Sequence, residues 1–499
     1  MQWLALHLPQ LSLEAFAASL PADAAAQPLA LLGAQRIAAA NEAARARGIE
    51  PGLRRATALA LAPELRLGQA CARRDAQALT AVAHAALAFT PSVALDAADA
   101  LVLLEVGASL RLFGGLQRLV QRLRQALAPL GHRVQVAAAP TAAGAALLAR
   151  WRDDPARGPH AHDMAALRAL LDAAPLALLG AARAHAATLQ GMGLATLADL
   201  RALPRAGLSR RFGEALLDEV DRARGERPDP REWVTLPPRF DARLELATRA
   251  DGSEQLLHAA DVLLARLVAW AQAQHARVAG FTLCMLHEPR HRDRDQPAHT
   301  ALDVALATPS ADADHLRTLL REHLARTTLP APTLELRLHC QQLVPGTPPS
   351  GELFPTRAGE REGLVRLLER LRARLGDEGV QRLEAVADHR PEHATRALAA
   401  QADAAAPAAM PALHHPSWLC PEPLPLPERG GVPWLDGAPL QLLAGPERIE
   451  AGWWEQGTPV ARDCFVAQTA DGVLVWICRT RLPLAAGDGG GWRLHGRFG

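Results

Sequence analysis

Trp3-Leu4-Ala5-Leu6-His7-Leu8-Pro9-Gln10-Leu11-Ser12-Leu13-Glu14 opens the chain as an apolar strand that turns into a helical stretch, and no acid precedes Glu14. Strands and helices alternate outward from it to about residue 165. Ala94-Leu95-Asp96 precedes the apolar run Leu101-Val102-Leu103-Leu104-Glu105-Val106. A helix over Leu116–Leu130 follows, with Leu116, Leu119, Val120, Leu123 and Leu127 on one face, and then the strand Arg133–Ala137. This is the text of an α/β core.

Beyond it the pattern changes. Residues 166–228 read as all-helical, broken at Gly180, Gly191-Met192-Gly193 and Pro204. Leu189 to Leu200 has the layout of a helix-hairpin-helix, in which a glycine turn and the next helix's amides meet a DNA phosphate. Gly191, Gly193, Arg205, Arg210 and Arg211 are its candidate DNA-binding residues, although an ordinary helical hairpin with a glycine cap has the same spacing. Residues 229–238 read as a linker. From 239 to 345 the order is β-α-β-β-α-β: strands at Arg239–Leu246, Val278–Leu286, Thr300–Leu306 and Leu334–His339, helices at Ser253–His275 and Asp312–Arg326. Residues 346–430 hold a Gly/Pro segment, an Arg/Glu-rich helix near Glu360–Leu375 and an Ala/Pro tract from Ala399 to Pro427 that reads as a flexible linker. Six of the ten tryptophans fall at or after Trp418, and short strands near 447–454, 460–468 and 473–479 predict a small β-meander. Trp453-Trp454 is a candidate partner-binding pair there, with a buried core as the other reading.

Composition bounds the chemistry. In 499 residues the net charge is +1, so any nucleic-acid surface is local. No Lys and no Tyr occur, so Schiff-base chemistry, a Lys-bearing phosphate loop and tyrosine gating are all excluded. The six cysteines form no C-x-x-C pair, which argues against a zinc site and a secreted disulfide framework. Cys464 and Cys478 are expected to face each other as thiols. His160-x-His162 and His414-His415 lack the Cys or carboxylate spacing of a metal centre, and no cofactor is expected. There is no basic leader, and no uncharged apolar stretch approaches the ~20 residues of a membrane span. A soluble, cytoplasmic protein is expected.

The order of these segments, with Asn41-Glu42-Ala43-Ala44-Arg45-Ala46-Arg47-Gly48-Ile49 and Leu59–Pro63, resembles the Y-family lesion-bypass DNA polymerases over residues 1–345. The resemblance implies a multidomain α/β and α+β fold. Residues 1–20 and 80–165 would be palm, 21–79 fingers, 166–228 a helical thumb and 239–345 the little finger. It adds a clamp-motif segment at 346–430 and a partner-binding β-rich tail at 431–499. It also implies where chemistry is missing. The acids that hold two Mg²⁺ on the first strand correspond to His7 and Pro9, and imidazole is a poor ligand for hard Mg²⁺. The later Asp-Glu pair reads Asp96-Ala97, the aromatic sugar gate is Ser12, and the triphosphate-binding Tyr and Arg correspond to Glu42 and Arg45. The palm lysines fall in the lysine-free Pro140–Ala146.

Leu104–Gly115 and the ending Trp492–Phe498 resemble an inactive, polymerase-like branch of this family from a bacterial mutagenesis cassette. That likeness implies an adaptor in SOS-induced translesion synthesis. Its partners would be DNA, the β sliding clamp, a RecA-like accessory protein and an error-prone C-family DNA polymerase. Ser350-Gly351-Glu352-Leu353-Phe354 resembles a clamp-binding peptide, with Ser350 where Gln is usual. The competing expectation is an active DNA polymerase with a relocated metal site at Asp96, Asp99 and Glu105.

Overall fold

The computed structural model describes all residues except 22–26, 152–159, 292–294, 347–356, 387, 401–414, 453–459 and 482–490, and excepting the side chains of 357–361. It divides into two compact units, Met1–Arg374 and Leu375–Gly499, so the division falls before the boundary expected at 430/431.

In the first unit, strand β1 is Trp3–His7. The fingers-like part holds β2 (Leu29–Gly33), β3 (Arg36–Ala40) and β4 (Arg66–Gln69) in the order β3-β2-β4. Helix Ala72–Leu87 then runs across the expected 79/80 boundary. Strands β5 (Val93–Asp96), β6 (Leu101–Glu105) and β7 (Gln135–Ala139) complete an antiparallel sheet of order β5-β6-β1-β7. Both faces of this sheet are covered, which is why β1 reads as unbroken apolar text. Leu4, Leu6, Val102 and Leu104 face helices Ala72–Leu87 and Leu116–Leu127, whereas Trp3, Ala5, Leu103 and Ala137 face helix Ala142–Trp151 and the thumb-like helices. Side-chain alternation along a strand produces this split.

The little-finger strands are β8 (Phe240–Ala250), β9 (Ala276–His287), β10 (His299–Ser310) and β11 (Thr333–Pro345), in the order β10-β9-β11-β8. Helices Ser253–Ala273 and Ala313–Arg326 cover one face, burying Leu244, Phe281, Leu283, Val304, Leu336 and Leu338. The other face is open and carries paired charges. Arg337 holds Asp241 at 2.9 Å and Thr282 donates to Asp303 at 2.5 Å. One helix bears on the membrane expectation, although Glu254, Asp261 and Arg266 interrupt it. Helix Ser253–Ala273 is long and apolar enough to cross a bilayer by length and composition, yet 78% of its most apolar window is buried inside the protein. It is apolar almost all round because it packs on the little-finger sheet and also on helix Ala72–Leu87.

The linker is anchored rather than free. Val234 N–H donates to Val93 O at 2.7 Å, Trp233 stacks on Trp3 with centroids 6.0 Å apart, and Pro237 O accepts the Trp270 indole N–H at 3.0 Å. Helix Arg357–Leu375 docks on the little finger, where Glu369 accepts the Ala307 amide at 2.6 Å and meets His315 at 2.9 Å.

The second unit begins with the hairpin β12 (Gln381–Ala385) and β13 (Thr395–Ala399). Next come β14 (Trp418–Pro425), the short β15 (Glu428–Arg429), β16 (Val432–Leu435) and β17 (Ala438–Pro439). Strands β18 (Gln441–Ala451), β19 (Val460–Gln468), β20 (Leu474–Thr480) and β21 (Trp492–Arg497) close the unit in a sheet of order β14-β21-β20-β19-β18. The end of the expected flexible tract is therefore a strand. Its prolines confine it to the sheet edge, where missing N–H donors cost nothing. Cys464 and Cys478 sit directly opposite in the β19–β20 register and are joined as a disulfide, which corrects the thiol expectation.

His495 lies edge-on to Trp476, 5.9 Å away, with Arg462 at 3.4 Å. Burial, with the Arg462 cation adding, pushes its imidazole from 6.5 down to about 4. Below pH ~6.5 the unfolded chain takes up a proton that the folded unit refuses. Stability from this group is thus full above pH ~6.5 and declines to about pH 4, by on the order of 2 kcal/mol. Urea unfolding of the full chain and of His495→Gln at pH 7.5 and 4.5 checks this; the variant should lose less stability on acidification.

Candidate functional site

Strand register builds the polymerase-like cleft. His7 lies opposite Leu101 on one side and Gln135 on the other, and Leu101 lies opposite Asp96. With alternating side chains, His7, Gln135 and Asp96 share one face at one end of the sheet. His7 Nδ1 donates to Gln135 Oε1 at 2.8 Å. Burial lowers the His7 imidazole below its ordinary value, Gln135 opposes this, and the Arg150 cation adds to it. The ring is neutral at pH 7. Asp96 stands two strands away, about 10 Å at ~4.8 Å per strand, and 4.0 Å from Arg231.

The neighbouring acid is already engaged. Asp99 Oδ2 accepts Arg150 at 2.6 Å, and its Oδ1 pairs with Arg183. Arg231 in turn holds Asp229 at 2.6 Å. Asp96, Asp99 and Asp229 are thus balanced by Arg150, Arg183 and Arg231. Glu105 lies opposite Trp3 at the far end of β6, some 13 Å away at ~3.4 Å per residue. There its carboxylate accepts the Gln2 and Gly107 amides at 3.3 and 3.1 Å. The three acids of a relocated metal site do not converge. Among the described residues no group of three or more His, Cys, Asp or Glu is arranged to hold a metal.

The remaining cleft positions have local roles. Pro9 and Ala97 sit in exposed turns. The Ser12 hydroxyl donates to Asp75 on helix Ala72–Leu87. Asn41 caps the short helix Glu42–Arg45: its side chain accepts the Ala44 and Leu29 amides and donates to Gln27 O. Glu42 suits that helix N-terminus electrostatically, and Arg45 is exposed. Where palm lysines would lie, Ala142 and Ala145 are buried and Thr141 donates to Ala223 O at 2.7 Å. A Cβ on Gly144 would come within 3.0 Å of that same carbonyl. The thumb helix Glu214–Ala223 leaves no room there for a long cation.

The hairpin forms as the sequence predicts, but its amides are largely spent. Helix Ala186–Gly191 ends with Gly193 at φ +77°, Leu194 N–H on Leu189 O and Gly193 N–H on Gln190 O, a Schellman cap. Helix Leu197–Arg201 starts with a Thr196/Asp199 capping box. The Asp199 carboxylate accepts the Ala195 and Thr196 amides at 3.1 and 2.9 Å, and those bonds hold it below the usual carboxylate range. An internal anion therefore takes amides that a phosphate would use. Arg205 is held bidentately by Asp221 at 3.0 and 2.6 Å. Arg210 bonds only Ala206 O and Arg211 lies over Phe212, and among the described residues neither has a carboxylate partner.

Ser350–Phe354 and Trp453-Trp454 lie outside the described residues. No sequence signal marks Gln135, Arg150 or Arg183, because their importance lies in long-range contacts rather than in a motif. His160 accepts the Ala138 amide at 3.1 Å and His415 pairs with Glu447 at 3.2 Å, so both are engaged structurally.

A family model described as "IMS: impB/mucB/samB family" matches residues 12–150. Among solved structures, a Dbh ternary complex and DinB from Sulfolobus solfataricus each align at 16% identity and a TM-score of 0.39. They cover 69% and 70% of this chain and 99% and 100% of their own. The strand orders β5-β6-β1-β7 and β10-β9-β11-β8, each with helices packed on it, make this a multidomain α/β and α+β fold. Over 471 residues it is 29% identical to "Protein ImuB" of Caulobacter vibrioides, from strains NA1000 / CB15N and ATCC 19089, spanning 91% of this chain and 100% of the relative. The chain is thus similar to that protein over nearly its whole length.

Proposed function

We propose that this chain is a non-catalytic, DNA-binding adaptor in SOS-induced, error-prone translesion synthesis at the bacterial nucleoid. The observation that carries the reading is the charge balance of the cleft. Two-metal nucleotidyl transfer needs clustered, unpaired carboxylates around cations about 4 Å apart. In their place stand a neutral His7 bonded to Gln135 and an Asp99 with both oxygens on arginines. A relocated metal site at Asp96, Asp99 and Glu105 has no observation in its favour.

In this reading the polymerase body is a platform. DNA meets the thumb through Arg210 and Arg211, the β sliding clamp takes Ser350–Phe354, and Trp453 and Trp454 serve the C-terminal partners. Those are an ImuA/RecA-like accessory protein and an error-prone C-family DNA polymerase.

Fluorescence anisotropy with a primer-template tests the platform. Affinity should be indifferent to Mg²⁺ plus nucleotide and should fall with salt. Arg210→Ala/Arg211→Ala should lower the log–log salt slope by up to about 2, whereas Arg205→Ala, already neutralised by Asp221, should change it little. An unchanged slope in the double variant removes the thumb from the DNA path. Capture of clamp and polymerase with Leu353→Ala/Phe354→Ala and with chain ended after Gln401 tests the docking assignments, which predict separate losses.

A further inference from the structure

Four arginines among the described residues are buried, and three have carboxylate partners: Arg224 with Asp172 at 2.7 Å, Arg390 with Asp388 at 2.7 Å and Arg462 with Glu392 at 2.6 Å. Arg266 is the exception. On helix Ser253–Ala273 it is 7% exposed, and among the described residues it has no acceptor and no anion. It lines a cavity of about 270 Å³ walled by the palm helix Ala72–Leu87, the end of the linker and the start of β8. An uncompensated buried guanidinium costs several kcal/mol, so such a group persists where something supplies its counter-charge.

We propose that this cavity binds a small organic carboxylate, gripped by the Arg266 guanidinium with its apolar body between Phe240, Ala81 and Ala242. The donor set selects the class. A planar guanidinium matches a carboxylate's two oxygens. Gln77, also on the wall and without a partner among the described residues, adds an amide donor. A phosphate dianion lacks the row of amides it wants: the second cation on the wall, Arg73, is paired with Glu245 at 3.3 Å, and the Asp241 carboxylate on the rim repels a second negative charge. Burial pushes the guanidinium down to about 10, so it stays cationic at neutral pH. At ~30 Å³ per water the space equals about nine waters, which fits a body such as benzoate. The ligand would touch palm and little finger together and so tighten their docking.

Calorimetric titration of the full chain with benzoate, hexanoate and octanoate, against benzamide and inorganic phosphate, tests this. At least one carboxylate should bind saturably, benzamide and phosphate should not, and Arg266→Met and Ala81→Leu should each weaken binding at least tenfold. Without ligand, Arg266→Met should raise the melting temperature, because it removes an unpaired buried charge. No saturable carboxylate binding, equal binding of benzamide, preference for phosphate, undiminished affinity in both variants, or a lower melting temperature for Arg266→Met each overturns the proposal.

Discussion

Asp99→Asn should destabilise the first unit by about 3 kcal/mol. Its partner Arg150 is only 11% exposed in its side chain, and burial already lowers that guanidinium while Asp99 opposes the shift. Taking away the carboxylate's charge leaves a nearly buried cation uncompensated. Arg183 on the other oxygen is half exposed, so Arg183→Ala should cost no more than ~1 kcal/mol. Urea unfolding of the two variants measures the contrast. The sign separates two views of the cleft. Acids clustered for absent cations repel one another, so neutralising one stabilises the metal-free protein; an acid balanced by two arginines does the opposite. A more stable Asp99→Asn would reopen the metal-site reading.

Trp270→Ala should be costlier, about 4 kcal/mol. The side chain is fully buried in the little-finger core, its ring is 5.6 Å from that of Phe240, and its indole N–H holds the linker at Pro237 O. Truncation loses the packing, leaves a cavity and leaves Pro237 O with only the weaker Gln274 amide at 3.4 Å. Trp270→Phe keeps most of the ring and should cost roughly 1–2 kcal/mol, the share of the hydrogen bond and lost volume. Equal losses in the two variants would show that the linker bond, not packing, dominates.

How much of this was legible depended on whether a feature is periodic. The little-finger order was readable because each strand buries one face and alternates. Its strand ends were not, since the outer parts of β8 and β11 are exposed and lack an apolar rhythm. The glycine turn of the thumb hairpin was readable because a helix C-cap with its C′ residue at positive φ favours glycine, as at Gly193. That Asp199 would occupy the next helix's amides was not foreseen, although Thr196-x-x-Asp199 is a capping-box spacing. Edge strand β14 was hidden by its prolines, and its partner β21 lies some seventy residues on. In the cleft, losses showed as missing acids at His7, Pro9 and Ala97. The replacement was invisible, because Arg150 and Arg183 reach Asp99 from helices with no motif of their own.

The most direct measurement is template-directed nucleotide addition by the full chain on a primer-template, with Mg²⁺ and separately Mn²⁺ and all four nucleotides. A cleft whose acids are balanced by arginines predicts no extension above a protein-free control with either metal. Extension by the wild-type chain that disappears in Asp96→Ala would contradict it.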